Sequence, residues 1–204
     1  MPRSTDTRTD ARPRPADARR KTRPAPAQRL LDAATALFSD EGVRAVGIDK
    51  ILRTADVARA SLYSAYGSKD GLVTAYLDRL DFADRQRFDE YVAPLDDPLD
   101  KVLALFDLAA SSAPGSGFRG CRYLNAVTEF PDDRTGMLAP VVAHRDWLRD
   151  TLTALLVAGG IEDAEAVAED VRLIYDGALA GAKFDADPGP IHRGRRLAAR
   201  LIGR

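Results

Sequence analysis

Residues 57–69 read V-A-R-A-S-L-Y-S-A-Y-G-S-K, and the reading of this stretch decides the fold. Taken as a helix from about Arg59 to Tyr66, it places Leu62 and Tyr66 four residues apart on one face, with Val57 sealing the entry. Arg59, Ser61, Ser64 and Ala65 point elsewhere and stay available to a partner. Few of these side chains are large, so the helix can lie close against a surface. Upstream, residues 47–54 (G-I-D-K-I-L-R-T) read as another short helix with Ile48, Ile51 and Leu52 inward. Ala55-Asp56-Val57 forms the turn between the two. Two short helices, a tight turn and an exposed second helix are the parts of a helix-turn-helix, whose second helix can enter a DNA major groove.

The composition agrees with an all-α chain. Its 204 residues are 45% hydrophobic and 30% charged, rich in Ala, Leu, Arg, Asp and Glu, without sustained alternation of β-branched residues. The longest uncharged stretch of the C-terminal half, residues 151–161, is far short of the roughly 18 residues that a membrane span needs. No apolar segment follows the basic start, so no secretory signal is expected. One cysteine cannot close an internal disulfide, which suits a reducing cytoplasm. Net charge is −1, but its distribution is uneven. Residues 1–80 carry 15 Lys/Arg against 10 Asp/Glu, whereas residues 81–204 carry 15 against 21. A basic front and an acidic back suit a protein that meets phosphates at one end.

Residues 1–27 contain five prolines and eight basic residues, with no large apolar side chain after Met1. They are expected to form a disordered basic arm, either a solvated tail or a segment whose Arg19, Arg20, Lys21 and Arg23 reach DNA. From Gln28 to Glu41, Leu30, Leu31, Ala34, Leu37 and Phe38 recur at helical spacing, and Gly42 ends the helix. Ser68 is positioned to cap a longer helix running to about Tyr91, with Leu72, Val73, Tyr76, Leu77 and Leu80 inward. Pro94 and Pro98 break the pattern. Leu99, Val102, Leu103 and Phe106 make an apolar stripe before a segment, 111–120, that is expected to be flexible, and further helices are expected over 121–130, 137–157, 163–183 and 191–202.

The runs L-L-D-A-A-T-A-L-F-S-D-E-G (30–42), I-D-K-I-L-R-T-A-D-V (48–57) and S-L-Y-S-A-Y-G-S-K-D-G-L (61–72) resemble the DNA-binding domain of the tetracycline-repressor (TetR) family. The resemblance covers about a fifth of the chain. It implies an all-helical homodimer: a three-helix DNA-binding domain (28–80), then a C-terminal domain (81–204) that binds a small-molecule effector and dimerises. The small residues Gly177, Ala178, Ala180, Gly181, Ala198 and Ala199 of the last two helices would form the four-helix seam. Three positions depart from the family pattern. Asp56 replaces the turn glycine, Ala58 the usual Ser/Thr cap of the second helix, and Gly47 a capping Ser or Thr that touches phosphate.

For double-stranded DNA, Arg59 can fork onto guanine, Ala60 and Ala65 can admit a thymine methyl, and Ser61 and Ser64 can reach a base edge or phosphate. Lys69 starts a helix whose N-terminus favours phosphate, and Lys50 and Arg53 flank it. The resemblance adds Tyr63 and Gly47 as phosphate contacts. Two copies about 34–36 Å apart would read a palindromic operator. Effector contacts are expected from Phe106, Cys121, Tyr123, Asn125, His144, Trp147 and Tyr175. Cys121, between Arg119 and Arg122, opens a second reading as an oxidant or electrophile sensor. An enzyme or ligand carrier finds little support. Gly115–Gly120 matches G-x-G-x-x-G without the preceding strand that a dinucleotide site requires. Two histidines and one cysteine give no metal-ligand spacing, so neither metal nor cofactor is expected.

Overall fold

The computed structural model describes residues 24–112, 118–132 and 136–204. Most of the expected arm, including Arg19, Arg20, Lys21 and Arg23, lies outside these residues, as do Gly115 to Gly117 of the glycine-rich motif. Among the described residues the chain is all-helical, without strands. The elements are α1 (Pro26–Glu41), α2 (Ile48–Ala55), α3 (Arg59–Tyr66), α4 (Lys69–Val92) and α5 (Pro98–Ser112), then α6 (Arg122–Glu129), α7 (Ala139–Ala158), α8 (Ala164–Asp185) and α9 (Gly189–Leu201). Each expected helix is present, with ends shifted by up to two residues. Proline in the first turn starts α1, two residues inside the expected arm, because its missing N–H has no helical partner there in any case. Ser68 caps α4 as expected, its Oγ accepting from the Gly71 N–H at 3.0 Å.

Leu62 is fully buried and is the one side chain of α3 that is. It enters a cluster with Leu30, Ala34 and Phe38 of α1, Ile51 and Leu52 of α2, and Leu72, Val73 and Tyr76 of α4. The Tyr66 hydroxyl adds a bond to the Ala27 carbonyl at 2.8 Å. Asp56 adopts the left-handed conformation (φ 52°, ψ 57°) that a glycine would take more readily. Arg29 of α1 compensates, donating Nη1 to the Ala55 and Asp56 carbonyls at 3.1 and 2.8 Å.

The first cluster does not end with the expected DNA-binding helices. Tyr123 and Ala126 of α6, with Met137, Leu138 and Val141 at the start of α7, are buried in it. The second cluster gathers α5, the rest of α7, α8 and α9 around Phe106, Val102, Leu152, Ala168 and Ile191. There Gly194 permits the closest approach of α9: a Cβ would lie 2.8 Å from that of Ala178 and 3.2 Å from the Phe106 ring. Ala178 and Ala198 are likewise buried within the chain, so part of the expected small-residue seam is used between α8 and α9 themselves. Gly177 stays exposed on α8 beside the larger Leu173 and Phe184, and Leu197 and Leu201 are exposed on α9.

Truncating Leu62 to alanine leaves a void beneath α3 and removes its main apolar anchor. The variant is expected to lose about 2–5 kcal/mol of unfolding free energy, measured by urea denaturation followed through helical circular dichroism. A loss below half a unit would show that α3 is held by something else.

Candidate functional site

Two regions carry functional side chains: the outer face of α2–α3 and a cavity beside α6. On the first, Gly47, Arg53, Arg59, Ala60, Tyr63 and Ser64 are all exposed, with Ser61 half-buried. Tyr63 is 47% exposed, which removes core packing as its role. Arg59 is not idle, since it forms an ion pair with Asp49 of α2. Both partners are exposed, so the pair contributes little to stability and opens easily. Lys50 is paired with Glu41.

Lys69 departs from expectation. Its ammonium donates to the Val43 carbonyl at 2.7 Å and lies 6.0 Å from the centre of the Phe38 ring. Burial there pulls its pKa down. The lysine braces the turn between α1 and α2 instead of standing free for phosphate. Sequence reasoning missed Arg29 and Asp49, the residues that shape the turn and hold Arg59.

The cavity has a volume of about 450 Å³, within the roughly 300–1,000 Å³ usual for small-molecule sites. Of the seven expected contacts, Cys121, Tyr123, His144, Trp147 and Tyr175 line it. Phe106 and Asn125 do not. Phe106 is fully buried behind Tyr175, edge-on to its ring at 5.4 Å. Asn125 turns to the backbone, donating to the Arg119 carbonyl at 2.9 Å while its Oδ1 accepts from Lys183.

One wall is a stack of rings. Tyr123 lies parallel to His144 at 3.9 Å, Trp147 tilts against His144 at 5.4 Å, and Phe88 meets Trp147 edge-on at 5.8 Å. Aspartates of α4 fix the polar atoms. Asp84 accepts from the Tyr123 hydroxyl at 2.8 Å and from Arg122 at 2.9 Å. Asp81 lies 2.8 Å from His144 Nδ1 and is also held by Arg85. A carboxylate can only accept, so the neutral imidazole carries its proton on Nδ1. The sequence held a signal for these groups: Leu77, Asp81, Asp84 and Phe88 continue one helical stripe, the first and last apolar, the middle two charged.

Cys121 caps α6, its Sγ accepting from the Leu124 N–H at 3.4 Å. Burial pushes the thiol pKa up. Arg119 and Arg122 are directed to Asp40 and Asp84 and not to the sulfur. Burial thus works against the thiolate that an electrophile sensor uses.

The far end of α6 reaches the DNA-binding helices. Glu129 accepts from the Arg44 N–H at 2.6 Å, and Arg119, just before α6, donates to the Asp40 carbonyl at 2.6 Å. Gly42 sits between them at φ 91°, where a Cβ would fall 2.8 Å from Glu129 Oε1. A side chain here would have to displace the Glu129 carboxylate and adopt a backbone conformation that favours glycine. Among the described residues no cluster of His, Cys, Asp or Glu could hold a metal, and no helix is long and apolar enough to cross a membrane.

An exposed short helix seated on one leucine, braced from behind by α1 and α4, defines a helix-turn-helix DNA-binding protein. Comparison with known proteins makes the class specific. The sequence profile of bacterial regulatory proteins of the tetR family matches residues 30–76. Transcriptional regulator AcuR of Cereibacter sphaeroides is 30% identical over 189 residues, 85% of this chain and 83% of that protein. An uncharacterized HTH-type transcriptional regulator of Mycobacterium tuberculosis is 28% identical over 192 residues, 80% of this chain and 92% of that one. The crystal structure of a TetR-family transcriptional regulator from Streptomyces coelicolor matches with a TM-score of 0.78 and 34% identity, over 88% of this chain and 97% of that one. The chain belongs to the TetR family and is a DNA-binding transcriptional regulator.

Burial depresses the His144 pKa below its ordinary value of about 6.5, against the opposing pull of Asp81 and Asp84 and with that of Arg85. The folded state thus favours neutral imidazole. Its contribution to stability is complete above about pH 6.5 and is lost as the pH falls through the depressed folded value. Wild type is expected to lose more stability than His144→Gln between pH 7 and pH 5, by at most about 1.4 kcal/mol per pH unit. Parallel denaturation curves for the two at both pH values would remove His144 as the cause.

Proposed function

We propose that this regulator is a cytoplasmic homodimeric repressor, released from a palindromic operator when a small molecule enters the cavity beside α6. Residues 28–80 act as the DNA-reading unit and 81–204 as the sensing and dimerising unit. One observation carries the coupling: α6 has Cys121, Arg122 and Tyr123 in the cavity wall and Glu129 on the turn between α1 and α2. A ligand that favours one placement of α6 therefore favours one placement of α1 and of the α4 stripe carrying Asp84 and Phe88. Only the difference in its affinity for the two states can move them.

For the reading itself, Arg59 takes guanine and Ala60 and Ala65 admit thymine methyls, while Ser61 and Ser64 reach base edges or phosphates. Tyr63, Arg53 and the Gly47 backbone meet phosphates. Asp49 holds Arg59 in the free protein and must yield it on binding. Dimerisation runs through α8 and α9. Leu173, Gly177, Ala180 and Phe184 recur every three to four residues on α8, and Leu197 and Leu201 extend the surface on α9. Phe184 is 89% exposed and Leu173 72%, an uneconomical face for a monomer.

The operator reading is tested by sequencing the DNA recovered with the purified protein and measuring gel shifts on it. Arg59→Ala is expected to relax discrimination at one position of each half-site by about 1–3 kcal/mol. Arg53→Gln should weaken binding on all sequences and reduce the salt slope by about 0.9. Asp49→Asn should tighten binding. An Arg59→Ala protein with unaltered preference would remove Arg59 from the reading set.

The dimer reading is tested by sedimentation. Wild type is expected at twice the chain mass of 22.1 kDa, and Phe184→Asp with Leu197→Asp as a folded monomer. Wild type at the mass of one chain would sink the palindromic reading.

A further inference from the structure

The cavity beside α6 carries more positive charge than its own carboxylates neutralise. Arg87, Arg119 and Arg122 reach its wall, against Asp40 and Asp84. Arg122 is committed, donating to both Asp84 oxygens at 2.9 and 3.1 Å. Arg87 and Arg119 are different. Arg87 donates to the Ser112 hydroxyl at 3.0 Å, and Arg119 to the Asp40 carbonyl at 2.6 Å. Both partners are neutral, and neither guanidinium forms an ion pair among the described residues. Arg79, Arg85, Arg145 and Arg195, by contrast, each sit on an aspartate. The Asp40 carboxylate is exposed to solvent. Phe88, Phe118, Trp147 and Tyr175 supply flat apolar surface around the space, with Ser39, Ser112 and His144 among the polar lining.

We infer that the cavity takes an organic acid, its carboxylate drawn by Arg87 and Arg119 and its ring-sized apolar body laid against Phe88 and Trp147. Guanidinium groups hold carboxylates by paired, charge-assisted hydrogen bonds, and the aromatic wall supplies the apolar contact. A cation would meet a wall with three arginines against two aspartates. A neutral ligand would leave them as they are. The assignment rests on the cavity being the effector site, and it specifies the chemistry of that effector.

Trp147 is the single tryptophan of the chain and lines the cavity, so its fluorescence reports occupancy directly. The probes are 3-phenylpropanoate, 3-phenylpropan-1-ol and 3-phenylpropan-1-amine, which share a body and differ in charge. Each is titrated into the full-length protein at pH 7. The acid is expected to bind about tenfold or more tightly than the alcohol or the amine, the range of one charge-assisted hydrogen bond. Arg87→Gln and Arg119→Gln should each remove most of that preference while leaving alcohol binding unchanged. Arg87 is exposed, so its substitution leaves the fold intact and decides the matter if Arg119→Gln fails to fold. Equal or tighter binding of the alcohol or amine overturns the assignment. So does a flat Trp147 response to the acid up to its solubility limit, or an acid preference that survives both substitutions. The same titrations with operator DNA present separate the two readings. An acid that occupies the cavity with the expected preference yet releases no DNA removes the effector role and leaves the ligand class standing.

Discussion

A helix that must show most of its surface to a partner has little left with which to hold itself in place. In α3 that constraint falls on Leu62, fully buried among α1, α2 and α4. Val57 and Tyr66 add partly buried apolar contact, and α1 adds polar restraint through the Tyr66 bond to the Ala27 carbonyl and the Arg29 fork under the turn. These bonds close over more than 25 residues of chain, so the presentation of α3 depends on α1 staying where it is. Lys69 fixes the other end of α1 by the same means, through the Val43 carbonyl. The DNA-reading surface is thus an output of how α1 is seated.

The seat of α1 is shared with α6. Glu129 and Arg119 take backbone groups at the end of α1 and in the turn after it, and Tyr123 and Ala126 are buried among the same side chains as Phe38. Polar contacts of this kind are directional and have discrete alternatives, whereas apolar packing resists continuous sliding. That combination gives α6 a definite resting position. Gly42, at φ 91°, takes a backbone conformation that side chains rarely adopt, and its open side faces the Glu129 carboxylate.

Periodicity made the helices legible, because a 3.6-residue repeat of apolar positions has one reading over ten or more residues. Leu62, Tyr66 and Ser68 could be placed from the sequence alone for that reason. The long-range polar contacts could not. Arg29 meets a turn 26 residues away and Glu129 an amide 85 residues away, and nothing in local spacing marks either. The Lys69 bond is equally hidden: a basic residue at a helix start suggests an anion, while the nearby Val43 carbonyl is invisible until the chain is folded. Phe106 and Asn125 stand outside the cavity lining for a reason just as invisible in the sequence. Their residue types suit a ligand site, but a ring that is fully buried and an amide bonded to backbone have no capacity left for one.

The burial of Tyr123, Ala126 and the Met137–Val141 segment among the N-terminal helices bears on how such a protein can be recombined. A hybrid regulator joined within α4 near residue 80 would separate these side chains from the surface they complement. It would leave an apolar groove on one fragment and an unmatched helix on the other. Successful exchange of sensing modules between relatives requires that α6 and the first turn of α7 travel with the DNA-reading helices, or that the groove be recut to suit the newcomer. The core of the N-terminal helices therefore reaches into the second half of the sequence, well past the point where the recognisable motif stops.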